Sequence, residues 1–172
     1  AKAAHQHIYL DAEDFADLAE WYARHNDFVR ADEVMQYALS LHPGNTDLLV
    51  EQAYERLDRE DREGARQILQ QIEEEGDDVT ILRARLLLEY GREDDAELEL
   101  DTLEYKYSQN NIIDVVYMYI ETNHADKAGE WLEHWRWSTD NVDYCAAMAD
   151  YLSAIGKFQQ AIIYFNKLID SN

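Results

Sequence analysis

Six histidines and one cysteine are the first residues in this 172-residue chain that could do chemistry. His5 and His7 flank a single residue, a spacing that can grip a metal ion, but a stable site needs two further ligands that the neighbourhood does not offer. Glu121 and His124 have the i, i+3 spacing of di-iron bundles. Such centres need two pairs plus two more Glu, and here one pair straddles a polar break between helical stretches. There is no His-Glu-x-x-His, and the acidic stretch from Asp58 lacks the alternating acids and closing Glu of a calcium loop. Cys145 lies among acidic residues at an apolar position, the reverse of what favours a thiolate, so it reads as a buried, inert thiol. None of the five serines sits in Gly-x-Ser-x-Gly, and no phosphate-cradling Gly-rich loop occurs. Carboxylate runs such as Glu73-Glu74-Glu75 and Asp94-Asp95 share one solvated environment, so they cannot divide the roles of acid and base. The inventory predicts no catalytic residue, no metal site and no cofactor: a non-enzyme.

The elements that would position any site follow from composition and period. One Pro and six Gly are too few for the frequent turns of a sandwich or barrel. With 47% apolar residues the chain can build an ordinary core. The balance of 15 basic against 37 acidic residues gives a net charge of −22. Without a basic run there is no counterion release to drive nucleic-acid binding, and anionic lipid is repelled. A charged partner should be cationic. No apolar run approaches the roughly 20 residues of a membrane span, and no secretory leader is visible. The single cysteine makes a reducing, cytoplasmic setting the expectation.

Five alanines recur at intervals of 34, 31, 32 and 33 residues: Ala31, Ala65, Ala96, Ala128 and Ala161. Four residues after each comes Met35, Leu69, Leu100, Leu132 or Phe165, and twelve before comes Ala19, Ala53, Ala84, Val116 or Ala149. Offsets of three and four are helical. Polar or Gly triplets such as His25-Asn26-Asp27 and Tyr90-Gly91-Arg92 interrupt them. Each unit therefore predicts a helix of about 13 residues, a tight turn and a second helix, with small residues letting the two axes approach. The units span about 12–45, 46–76, 77–108, 109–141 and 142–172. Asp11 reads as an N-cap with Asp14 at N3, and Leu10 can staple onto Phe15. Residues 1–10 fall outside the first unit, and segment 2–8 reads as a tail or the end of an earlier helix.

The first unit, Phe15-x2-Leu18-Ala19-x2-Tyr22, then Ala31-x3-Met35 and Pro43, resembles the tetratricopeptide repeat family. The last unit, with Met148-Ala149, Leu152, Gly156, Phe158, Ala161 and Phe165, is similar. The middle three lack the closing Pro, carry Gln52 and Arg83 in an apolar slot, and put Trp135 where the family keeps a small residue. The resemblance implies an all-α, right-handed α-solenoid over 11–172, its first helices lining a concave groove that takes a peptide or a partner's helix. The stripe facing that groove would hold Asp17, Glu20, Glu51, Tyr54, Asp58, Arg85, Glu89, Asp114, Tyr117 and Glu121. The family's carboxylate clamp needs Lys, Arg and Asn, whereas the matching positions carry Ala16, Glu20, Glu51, Asp78 and Leu82. An acidic C-terminal tail would therefore be repelled. Two readings of the stripe stay open: a steering surface for a basic or neutral peptide, or merely the acidity of the whole chain. The alternative for Arg85 is a pairing with Glu89 one turn along its own helix. Trp131, Trp135 and Trp137 are placed in the fourth unit's second helix, with Trp135 in the core. Trp131 and Trp137 either repack a degenerate junction or form an exposed aromatic patch. No polar capping helix follows the fifth unit. The chain is accordingly expected to be a piece of a longer protein, or to pack its C-terminal repeat on another copy. A self-association or spacer module is the alternative to the peptide-binding scaffold.

Overall fold

The computed structural model describes residues 10–171, so the readings of segment 2–8 and of His5 and His7 lie outside the described residues. Within them the fold is all-α, with ten helices in chain order. The first helices of the five units are α1 (Ala12–Arg24), α3 (Thr46–Asp58), α5 (Asp77–Glu89), α7 (Gln109–Glu121) and α9 (Val142–Ala154), each of 13 residues. The second helices are α2 (Phe28–Leu41), α4 (Arg62–Gln71), α6 (Glu93–Leu100), α8 (Ala125–Leu132) and α10 (Phe158–Asp170). No helix among the described residues is long and apolar enough to cross a membrane.

Local chemistry sets the starts of these helices. Asp11 and Asp14 form a reciprocal capping box, each carboxylate accepting the other's amide at 3.0 and 3.1 Å. Leu10 packs into the cluster that holds Phe15, as expected of a staple. Asn45, Ser108 and Asn141 cap α3, α7 and α9 one way only, each side chain accepting the amide three residues on. Each hairpin reverses at the residue five before its anchor alanine: Asn26, Glu60, Gly91, Asn123 and Gly156, all left-handed with φ between 58 and 80°. The next amide then bonds back to the carbonyl five residues earlier. Asp27 donates to Tyr22 at 3.0 Å, Asp61 to Arg56 at 2.8 Å and His124 to Tyr119 at 2.7 Å. Arg92 and Lys157 close their turns alike, giving five repeats of the Schellman closure of a helix end.

The chain divides into two compact units between Glu74 and Glu75. In unit 1, α1 packs against α2 and α3, and α3 against α4. In unit 2, α7 lies between α5 and α9, and α6, α8 and α10 each pair with the first helix of their own hairpin. Ala19, Ala53, Ala84, Val116 and Ala149 are all fully buried, so the recurring small residues sit where helix axes meet. Large side chains fill the space beside them: Phe15, Met35 and Leu48 in unit 1, Leu100, Ile112, Tyr119 and Leu132 in unit 2. Full burial of each such aliphatic contributes about 1.5–3 kcal/mol. Cys145 is buried and its thiol donates to the Thr139 carbonyl at 3.2 Å.

Two second helices are shorter than the period implied. α8 stops at Leu132, so Trp131 alone of the three tryptophans is helical. Trp135 lies beyond the helix end, buried, with its ring stacked on Tyr144 at 5.0 Å and its indole N–H donated to the Ser138 carbonyl at 3.1 Å. Its ring is too large for the small slot that a continuing helix would offer, and ending the helix makes room for it.

Candidate binding faces

The residues that the sequence assigns to a groove-facing stripe all fall on first helices, and each of the two units treats its own share differently. In unit 1, Asp17 is exposed on α1, Glu20 is half-buried and ion-paired with Arg24, and Asp58 is exposed at the end of α3. Glu51 and Tyr54 are half-buried on α3. The Glu51 carboxyl is pushed up to about 7, first by burial, then by the neighbouring charges of Glu20, Glu55 and Asp58, with Arg24 drawing it back. Glu55, one turn further along α3, is buried and neither carboxyl oxygen has a hydrogen-bond partner among the described residues. Burial raises its pKa as well.

In unit 2 the buried charge at the centre of the face is matched. Arg85 is only 6% exposed; its guanidinium meets Glu89 at 3.1 Å on its own helix and Glu121 at 2.6 Å on α7. The expectation that Arg85 faces a ligand is thereby corrected: it is an internal tie between α5 and α7, and its pairing with Glu89 is the part the sequence anticipates. Glu89 is half-buried and Glu121 is exposed. The half-buried Tyr117 donates its hydroxyl to Asp150 on α9 at 2.7 Å, and burial followed by this bond holds its pKa above the usual phenol value. Asp114 is exposed on α7, yet the surrounding protein and then the Asp78 charge raise its pKa.

No protein-family model, curated protein or solved structure matches the chain.

The aromatic patch splits. Trp131 is 8% exposed, covered by Tyr107, whose ring centroid lies 5.3 Å away. It is therefore not the outward-facing ring that one reading required. Trp137 is 42% exposed and packs edge-on against Trp135 at 5.1 Å, so the pair belongs to the junction after α8. Glu121 and His124 serve different partners: Glu121 goes to Arg85, while His124 meets Glu93 at 2.9 Å and Thr122 at 3.1 Å. Glu55 escapes sequence reasoning because a charged residue at a helical position reads as solvated. So does the segment Lys106-Tyr107, whose one outward sign is a basic residue between two tyrosines.

Chemically, these first-helix faces offer carboxylates and phenols. A basic side chain laid along Glu20, Glu51 and Asp58 would relieve like-charge repulsion, whereas an acidic one would add to it. Arg85 is buried and already paired with two carboxylates, so an acidic ligand would have to displace one of them.

Proposed function

We propose that this protein is a non-catalytic scaffold that binds a basic or neutral peptide segment of a partner protein along its first-helix faces. On this reading the hairpins of each unit stack in the right-handed manner of tetratricopeptide repeats. The uniform first helices, the five like turns and the buried small residues favour that stacking. The observation that carries the binding proposal is Glu51, whose carboxyl is pushed up to about 7 amid Glu20, Glu55 and Asp58. A cation delivered by a partner removes the cost of that crowding, so binding energy is available there for a basic ligand and not for an acidic one. Half-buried Tyr54 in unit 1 and Tyr117 in unit 2 each supply rigid amphipathic contact area on the first-helix face of their own unit. The test is capture of Lys-rich peptides by the chain and by Glu51→Lys with Asp114→Lys. The double reversal abolishes capture if the faces bind, and unchanged capture refutes the reading.

Self-association is favoured by one separate observation. On α10, Phe158, Ile162, Ile163, Phe165 and Ile169 are exposed, and the helix carries only Lys167 and Asp170 as charges. In a chain of net charge −22, this is a locally neutral apolar face where two copies would repel least. Light scattering over a concentration series shows a dimer lost in Ile162→Asp if α10 is the contact, and a constant monomer mass excludes it.

A further inference from the structure

Unit 2 holds a cavity of about 220 Å³ between α6, α8 and the segment joining α6 to α7. Its floor is Tyr119 of α7, 2% exposed, whose hydroxyl makes no hydrogen bond with any described residue. The hydroxyl opens on the cavity and is not sealed from it, so it is suited to a polar group that the cavity admits. The wall is aromatic. Tyr107 stacks flat on His134, with centroids 3.7 Å apart and planes at 9°, and leans on Trp131. The segment carrying Tyr107 is held in place by Asp77, whose carboxylate accepts the Glu104 and Tyr105 amides at 2.9 Å and the Asn111 side chain at 2.7 Å. Burial would raise the Asp77 pKa, but these bonds outweigh it and hold it low, so the clamp stays ionised at neutral pH.

The charges at the cavity select among ligands. Glu97, Asp101 and Glu130 line it, against Lys106 and Lys127. Both lysines are already matched: Lys106 lies 2.7 Å from Asp101, and Lys127 pairs with Glu97 and stands 3.7 Å from Glu93. The balance is negative, which rejects a carboxylate or phosphate. A purely apolar ligand would strand the Tyr119 hydroxyl. A compact organic cation meets each requirement: an aromatic face, nearby carboxylates and a hydroxyl oxygen. The chain itself shows the fit, since the Lys106 ammonium stands 5.4 Å from the Tyr107 ring centroid and 5.8 Å from that of Trp131.

We infer that this cavity binds an alkylammonium group, in competition with Lys106 for the faces of Trp131 and Tyr107. The site is on the second-helix side and does not rest on the first-helix reading. Its test is titration of the full chain with n-butylammonium, with a blocked Gly-Lys-Gly peptide and with butyrate, followed by calorimetry and by the Trp131 indole resonance in NMR. Both cations shift that resonance saturably and butyrate does not. A tighter peptide assigns a partner's lysine as the natural ligand, and a tighter free amine assigns a small metabolite. Lys106→Met vacates the aromatic faces and tightens binding about tenfold, whereas Lys167→Met on α10, which removes the same charge, leaves it unchanged. Tyr119→Phe keeps the packing ring and weakens binding about tenfold. No saturable shift at Trp131, equal effects of the two lysine variants, or binding of butyrate would overturn the inference.

Discussion

The first-helix faces of the two units are built from the same helical positions and reach opposite electrostatic solutions. Unit 2 buries a cation, Arg85, and brackets it with two carboxylates from successive first helices. Unit 1 gathers Glu20, Glu55 and Asp58 around Glu51, with Arg24 as a partial counterweight. The difference teaches that an acidic stripe is not uniformly a binding surface. Where the protein supplies its own countercharge, the stripe is part of the frame, and where repulsion is left standing, a ligand can gain by relieving it.

The sharpest break of this contrast is Arg85→Ala. Removing a buried cation between two acids should cost about 3 kcal/mol, read as a shift in the denaturant midpoint. Glu121 is 53% exposed at its side chain and keeps some hydration, so a larger loss is not expected. A loss under about 1 kcal/mol would make the tie an ordinary surface pair and erase the contrast.

Unit 1 should respond with the opposite sign. A carboxyl raised in the fold from 4.5 to about 7 makes ionisation cost folding energy. That cost is absent below about pH 4.5, grows through pH 7 and is complete above it, so stability at this site increases as the solution is acidified from pH 8 to pH 5. Glu51→Gln should therefore stabilise the protein by about 2 kcal/mol at pH 8 and hardly at all at pH 4.5, measured by thermal unfolding at both pH values. Equal effects at the two pH values would show that Glu51 is not the strained member of its cluster.

The smallest effect lies at Tyr117. Tyr117→Phe removes one hydrogen bond to Asp150 and should cost about 1 kcal/mol. If peptide capture falls far more than stability does, the hydroxyl belongs to the binding face and unit 2 is less closed than its ion pairs imply.

Much of the fold is legible in the residues. The five anchor alanines are all buried, and the turn triplets fall where the chain reverses. Helical spacing is a local signal, and small residues can meet only where axes cross. Burial of a charge is not local. Arg85 reads as solvent-facing because its second partner, Glu121, is 36 residues away. Trp131 reads as outward because its cover, Tyr107, belongs to an irregular segment without period. The early end of α8 is foreshadowed by Trp135 standing in a small slot, but only packing reveals that the helix yields and not the side chain.

Four of the five left-handed turn residues are Asn or Gly, which bear that backbone at little cost, and the fifth is Glu60. A side chain with an ordinary Cβ there carries roughly 1 kcal/mol of strain that the other hairpins avoid. Under native conditions the junction of α3 and α4 should therefore be the first closure to breathe, its Asp61 amide trading protons with solvent faster than Arg92 or Lys157 at the equivalent places. Glu60→Gly would quieten it without touching any contact between side chains, and would slow the earliest step by which the chain loses its shape.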